Sequence, residues 1–382
     1  MIYLDHNATS PLLPQARAAW LDAEERFPGN PSSPHRMGAR AAGALDQARE
    51  KLAAWLGCSP LDLVWTSGAT EAANTVLQHV AASVGRDACG WVSAVEHPAV
   101  LATARHYFGD RLRVMPVDRN GVVDLGWLIQ RLSRERPALV ALLAANNETG
   151  VLQPWREAQA WCAANQIPVL CDATQWCGRL PARGLGACDY VVGSAHKFGG
   201  PRGVGFLRVP ARTALNPLLR GGKQQEGHRA GTENVPGVLA MIAALEWCEQ
   251  QIAAGANQSL RLTRDHFERE LRSALPGARV NGGAVERLWN TTSVVMPEID
   301  CRQRWVVKLD KAGFAVSTGS ACASGSEEPS HVLTAMGLSA SEAGRALRFS
   351  AGWLTPPKAW DDLLHALVGI QRELQPAAAA RP

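Results

Sequence analysis

Short, nearly unbroken apolar runs alternate along most of the chain with longer stretches in which apolar residues return every three or four positions. The runs at 63–65, 91–95, 138–145, 167–171, 189–193 and 203–207 read as strands. Their continuity points to strands covered on both faces, because a strand with one wet face alternates. Helical spacing appears after Pro14 (Ala16, Ala19, Trp20), over 38–56 (Ala41, Leu45, Ala48, Leu52, Trp55), from Ala72 to Val80, and at Trp155, Ala158 and Trp161. Repeated strand–turn–helix units predict a layered α/β fold on a mostly parallel sheet.

The rhythm changes near residue 238. Two long amphipathic patterns run to about 275, and 292–295 and 305–307 are expected elements of a smaller sheet. The expected division is a large domain over 11–240 and a smaller α/β domain made of 1–10 and 241–382. The short run Ile2, Tyr3, Leu4 breaks into a polar loop beginning Asp5-His6-Asn7.

Polar residues gather just past the strand ends: Thr70, His97, Asn147, Asp172, Ser194 and Lys197. Open α/β sheets bind ligands outside the carboxyl ends of their strands, so six such residues point to one edge. The turn Thr66-Ser67-Gly68-Ala69-Thr70-Glu71 leads straight into a helix, an arrangement suited to a phosphate, although Thr66 or Thr70 serves equally as a cap. His97 before Pro98 suits a ring stacked on a flat ligand, or a capping or core histidine. Asp172 suits a protonated pyridine nitrogen, or a helix N-cap. Lys197 follows an apolar strand through Ser194 and His196. The chain holds six lysines against thirty-three arginines, so arginine is the default cation, yet only lysine condenses with an aldehyde. A plain surface turn is the other reading. Cys322 lies in a run of Gly, Ser, Thr and Ala, unlike Cys89, Cys162, Cys171 and Cys248, which sit among larger apolar residues. Arg348 suits a substrate carboxylate or an ion pair.

Composition narrows the class. With 46% hydrophobic and 19% charged residues the chain reads as an ordinary globular protein. A net charge of +4 spread over 39 basic and 35 acidic residues holds no basic block, so no nucleic-acid partner is expected. No run approaches a membrane span and the first residues lack a signal pattern, so a cytoplasmic setting is expected. Nine cysteines without a CxxC pair argue against a disulfide scaffold or a compact metal site. No role is assigned to the thirteen tryptophans.

Taken together, these segments resemble the cysteine desulfurases, pyridoxal-phosphate enzymes of the class-V aminotransferase group, over nearly the full length and in motif order. The resemblance implies fold type I: a large cofactor-binding domain with a mostly parallel seven-stranded sheet, and a smaller α/β domain carrying the cysteine loop. It implies that Lys197 is the anchoring lysine, with Ser194, His196, Ala69 and Thr70 near the phosphate of pyridoxal 5'-phosphate. His97 would stack on the ring and transfer protons. Asp172 would pair with the ring nitrogen and Gln175 with the ring hydroxyl. Asn147 and Arg348 would hold the substrate, and Cys322 would form the persulfide. Thr232 would reach the phosphate of a neighbouring subunit, which implies a homodimer. The implied reaction takes sulfur from L-cysteine, leaves L-alanine and passes the sulfur to an acceptor protein such as an iron–sulfur scaffold. The spacing from Cys322 to Glu328-Pro329-Ser330 resembles the subgroup with the longer cysteine loop.

Departures from the family pattern leave other outcomes open. Lys223, Gln225 and Glu226 stand where relatives carry Gly, Glu and Arg, and Glu226 is unfavourable near a phosphate unless it points away or pairs with Arg229. Trp176-Cys177 stands where small residues are usual and would crowd or desolvate the site, and Trp289 replaces a proline. The alternatives are a selenocysteine or cysteine-sulfinate lyase and a non-catalytic scaffold in a sulfur-transfer complex.

Overall fold

A computed structural model describes residues 1–85, 87–211, 213–299, 305–318 and 329–374. Cys322 and Cys301 lie outside the described residues. Strands β1 (Ile2–Tyr3), β2 (Leu63–Thr66), β3 (Gly90–Ser93), β4 (Leu112–Met115), β5 (Leu139–Leu143), β6 (Val169–Asp172), β7 (Tyr190–Ser194), β8 (Gly205–Arg208), β9 (Arg279–Val280), β10 (Thr291–Val295), β11 (Phe314–Ala315) and β12 (Ala346–Ser350) form three sheets. The largest has seven strands in the order β2-β8-β7-β6-β5-β3-β4. It is parallel except for β8, which runs antiparallel to both β2 and β7. The expected α/β fold with a mostly parallel seven-stranded sheet and a smaller second part is what the chain adopts.

Helices follow the strands: α1 (Pro14–Arg26), α2 (Arg36–Leu56), α3 (Ala69–Ser83), α4 (Pro98–Phe108), α5 (Leu125–Leu132), α6 (Trp155–Ala164) and α7 (Val235–Ala253). The unbroken apolar runs are explained by where consecutive side chains go. Val140, Leu142, Val169, Cys171 and Val191 pack with α2, α6 and α7 on one face. Leu139, Ala141, Leu170 and Val192 pack with α3 and α4 on the other. Both faces are dry, so polar residues are confined to the strand ends, as with Asp172 and Ser194. Strand β4 escapes the sequence reading because it is an edge: Leu112 and Arg113 are half-buried and Val114 is exposed.

A third core surrounds β10 and β12, with Leu4, Phe267, Leu271, Phe349, Trp360 and Leu363 among its members. Helices α8 (Ala256–Ala274), α9 (Trp305–Lys311), α10 (His331–Ala335), α11 (Ala340–Gly344) and α12 (Lys358–Leu374) belong to this half of the chain. Residues 305–307, expected as sheet, open α9 instead. Trp305 and Leu309, one turn apart, are its buried pair, so the helical period wins over the β-branched valines between them. The amino-terminal run pairs parallel with β11 (Ile2 opposite Phe314), and Asp5 then bridges to Ser350 of β12. That route carries the polar loop after residue 5 from the smaller sheets to the carboxyl edge of the large one.

Candidate active site

At that edge a cavity of about 880 Å³ gathers Ala69, Thr70, His97, Asn147, Asp172, Gln175, Ser194, His196, Lys197 and Arg348. All but Arg348 come from the end of a strand of the large sheet or from the segment that follows it, as expected for a parallel sheet; Arg348 sits mid-strand in β12 of the smaller antiparallel sheet. Thr232 is not in this cavity and is exposed on the protomer surface.

Gly68 is the N-cap of α3, and its φ is +154°. A Cβ there would stand 3.2 Å from Ser194 Oγ, so glycine leaves the space between the helix start and that hydroxyl open. The first turn of α3 holds Glu71, which an anion would find repulsive. Its charge is neutralised: Arg229 Nε and Nη2 donate to it at 3.0 and 3.3 Å, and Ser67 N donates at 2.8 Å. Burial raises the Glu71 pKa, and these bonds outweigh it, so the net shift is downward. Arg229 is thereby committed to Glu71, and Glu226 is exposed, which removes the expected conflict.

Lys197 follows β7, and its Nζ donates to the carbonyls of Asn7 at 2.9 Å and Ala8 at 2.8 Å. Asp172 closes β6 and is 8% exposed; its Oδ1 accepts from Thr174 N at 2.9 Å. Gln175 Nε2 donates to the Asn7 carbonyl, while its Oε1 is buried with no hydrogen-bond partner among the described residues. His97 caps α4, its Nδ1 accepting from Ala99 N at 3.1 Å, so the neutral ring carries hydrogen on Nε2. Burial lowers the His97 pKa, with Asp172 opposing and Lys197 and His331 reinforcing. His196 bonds Thr9 Oγ1 at 3.1 Å, and burial followed by the charges of Lys197, Arg202 and Arg179 holds it near pKa 4.

Arg348 lies in β12, 1% exposed. Its Nη2 donates to Asp5 Oδ1 at 2.6 Å and its Nη1 to the Asn147 carbonyl at 3.0 Å. Nearby Glu148 accepts from Ser330 Oγ at 2.5 Å, and burial raises its pKa. Glu96 is wholly buried. Burial and then the Asp172 charge push its pKa up to about 8, while its Oε1 accepts from Ser93 Oγ and Leu143 N at 2.7 Å.

Sequence reasoning missed Asn7, the residue that ties these groups together. Its amide Nδ2 donates to the Asn147 carbonyl and Thr291 Oγ1, its Oδ1 accepts from Asn290 and Arg179, and its backbone carbonyl accepts from Gln175 and Lys197. The one signal available was its place in a polar loop too rich in hydrogen-bonding groups for a plain surface turn. Arg202, Ser330 and His331 also line the cavity and were not foreseen. The family departures lie outside it. Trp176 turns into the core against Trp155 at 5.6 Å, so it does not crowd the site, and Gln225 pairs with both backbone groups of Trp65. Trp289 Nε1 donates to the Arg179 carbonyl, and the ring packs on Trp353 at 4.5 Å.

A seven-stranded α/β sheet with a lysine, an acid and a helix start converging at its edge defines a class that comparison identifies. The chain belongs to the class-V aminotransferase family, whose model matches residues 2–356. Within it the chain falls among the NifS/IscS-like cysteine desulfurases. It is 38% identical to a cysteine desulfurase of Cereibacter sphaeroides, covering 98% of this chain and 96% of that protein. A solved NifS-like protein superposes with a TM-score of 0.88 at 31% identity, covering 98% of this chain and all of that one. The structure of SspA in complex with cysteine superposes with a TM-score of 0.77 at 28% identity, covering 92% and 98%.

Membership carries pyridoxal phosphate as the family's cofactor, and the donor set fits it. The opening at Gly68 beside Ser194 suits a phosphate. The unpartnered Gln175 Oε1 suits a ring hydroxyl, and the buried Asp172 carboxylate suits a protonated ring nitrogen. Among the described residues no helix is long and apolar enough to cross a membrane, and no cluster of potential metal ligands occurs.

Proposed function

We propose that the chain takes sulfur from L-cysteine with pyridoxal phosphate, leaving L-alanine and a persulfide on Cys322. The carrying observation is that one cavity gathers Lys197, Asp172, His97 and Gln175 beside the start of α3. Pyridoxal phosphate, when bound, supplies an electron sink for charge developing on the amino acid.

The residues divide the remaining work. Ala69, Thr70, Ser194 and His196 would hold the phosphate, with Glu71 silenced by Arg229. Asp172 would keep a proton on the ring nitrogen, and Gln175 Oε1 would accept from the ring hydroxyl. His97 would stack on the ring and exchange protons through Nε2. Lys197 Nζ anchors the cofactor and then takes the α-proton of L-cysteine; the Asn7 and Ala8 carbonyls aim it. Arg348 offers a planar fork to the substrate carboxylate, oriented by Asp5 and assisted by Asn147. Cys322 as thiolate attacks the substrate sulfur, and the persulfide then passes to an acceptor protein such as an iron–sulfur scaffold. The protein works as a homodimer in the cytoplasm, with Thr232 serving the phosphate of the partner; its exposure here supports that assignment.

Mass spectrometry of the holoenzyme after L-cysteine tests the reading, with Cys322→Ala and Lys197→Ala alongside. A one-sulfur adduct on Cys322 in the wild type, absent from both variants, is expected. An adduct mainly on Cys58, Cys177 or Cys301 refutes the assignment of the nucleophile. Alanine release that survives Cys322→Ala favours a selenocysteine- or sulfinate-type lyase instead.

A further inference from the structure

A second cavity, of about 960 Å³, shares no lining residue with the one that holds Lys197. It runs along α8, where Arg261, Arg264, Asp265, Glu268, Arg269 and Arg272 line it. Spacings of three, four, seven, eight and eleven from Arg261 put these residues on one helical face. The turn 283–287 forms the other side, and Arg272 reaches toward it: a Cβ at Gly283 would stand 3.4 Å from Arg272 Nη2.

The charges of this groove do not cancel. Its lining holds five arginines and three carboxylates, and two of those carboxylates are already committed. Glu268 accepts from both Nη atoms of the buried Arg287 at 2.7 Å and from Thr292 Oγ1 at 2.5 Å. Asp265 Oδ1 accepts from the buried Arg264 at 3.0 and 2.5 Å. Glu286 is exposed and has no ion pair among the described residues. The remaining cations are exposed as well. Arg261 makes no ion pair or hydrogen bond among the described residues, Arg269 only donates to His266 Nδ1 at 3.3 Å, and Arg272 comes no nearer than 3.8 Å to Glu268. Eleven residues of helix separate the first from the last, so three guanidiniums stand along a groove of about 16 Å.

We propose that this groove is a docking site for an extended acidic segment of a protein partner, independently of the chemistry assigned to Lys197. A guanidinium fork pairs with a carboxylate through two parallel hydrogen bonds. An extended chain advances about 3.3 Å per residue, so carboxylates four residues apart lie about 13 Å from one another. The rise from Arg261 to Arg269 is about 12 Å, which matches. Leu152, Leu180 and Trp289 also line the cavity and receive the apolar side chains of such a segment. A nucleic acid fits less well, because its evenly spaced phosphates would meet Glu286 as well as the arginines.

Fluorescence anisotropy of a labelled eight-residue peptide alternating leucine and glutamate, titrated with the holoenzyme, tests the assignment. Binding should weaken at least about tenfold in the Arg261→Glu, Arg269→Glu double variant, and about fivefold in the milder Arg261→Gln, Arg269→Gln variant. Both side chains are exposed, so Tm should stay within about 2 °C of wild type. Raising NaCl from about 50 to about 200 mM should weaken binding at least about threefold, and a peptide with glutamine for glutamate should bind at least about tenfold less tightly. Absence of saturable binding by the wild type, or affinities within about twofold for both double variants, overturns the inference. So does tighter binding of an eight-nucleotide single-stranded RNA that is lost in the same variants, which would make the groove a nucleic-acid site.

Discussion

Replacing Glu96 with glutamine isolates the electrostatic strain beneath the site. Glu96 is completely buried, 1% exposed, and its Oε1 already accepts two hydrogen bonds while Oε2 has no partner. Burial, with the Asp172 charge adding to it, raises its pKa from 4.5 to about 8, so the folded protein keeps it as a neutral acid at pH 7. In the unfolded chain it ionises near pH 4.5, so between that value and pH 8 the folded state binds more protons than the unfolded one. Stability therefore falls as pH rises through this window. At about 1.36 kcal/mol per pH unit over roughly 3.5 units, the loss is on the order of 5 kcal/mol. Glutamine is neutral at every pH, so Glu96→Gln removes the slope. It adds a constant offset of about 1–3 kcal/mol, because its amide brings donors to a place with no acceptor. Urea unfolding of the cofactor-free protein at pH 5, 7 and 9 measures both. The variant should be the less stable at pH 5, and the difference should move in its favour by several kcal/mol by pH 9. A difference constant across pH would refute the claim that Glu96 is a buried neutral acid.

Three other perturbations have defined outcomes. Glu268→Gln removes the buried carboxylate that accepts both Arg287 Nη atoms at 2.7 Å and Thr292 Oγ1 at 2.5 Å. Stranding that buried arginine should cost about 3–5 kcal/mol, or about a 5 °C fall in Tm for a chain of this length; a fall under 1 °C in a calorimetric scan contradicts it. Arg229→Met frees the Glu71 charge beside the start of α3, so titration with pyridoxal phosphate should show at least about tenfold weaker binding, and adding Glu71→Gln should restore it. No restoration would mean the loss is not electrostatic. Arg348→Lys replaces the planar fork by a point charge, so KM for L-cysteine should rise about tenfold or more with a smaller change in kcat; an unchanged KM removes Arg348 from substrate binding.

The large sheet was readable because its strands are dry on both sides: a run such as 138–145 has nowhere polar to point and announces itself. Edge strand β4 did not, since a partly exposed strand carries no such signature. Residues 305–307 show the opposite error, where β-branched neighbours masked the buried pair Trp305 and Leu309 of a short helix. The site residues at strand ends were legible because topology sends strand ends to one edge, and a lysine or acid stands out against an apolar run.

The chain's own order of residues determined the layered α/β class, the strand-end lysine and acid, and the cysteine placed among small residues. Only the tertiary structure decided that Asn7 is the knot between the sheets, that Arg229 cancels Glu71, and that His331 lines the cavity while bonding the Glu96 carbonyl behind it. These are contacts between residues up to 284 positions apart in the chain. Local periodicity reports which face of an element is dry. It carries no record of which distant polar group will meet another once water is gone.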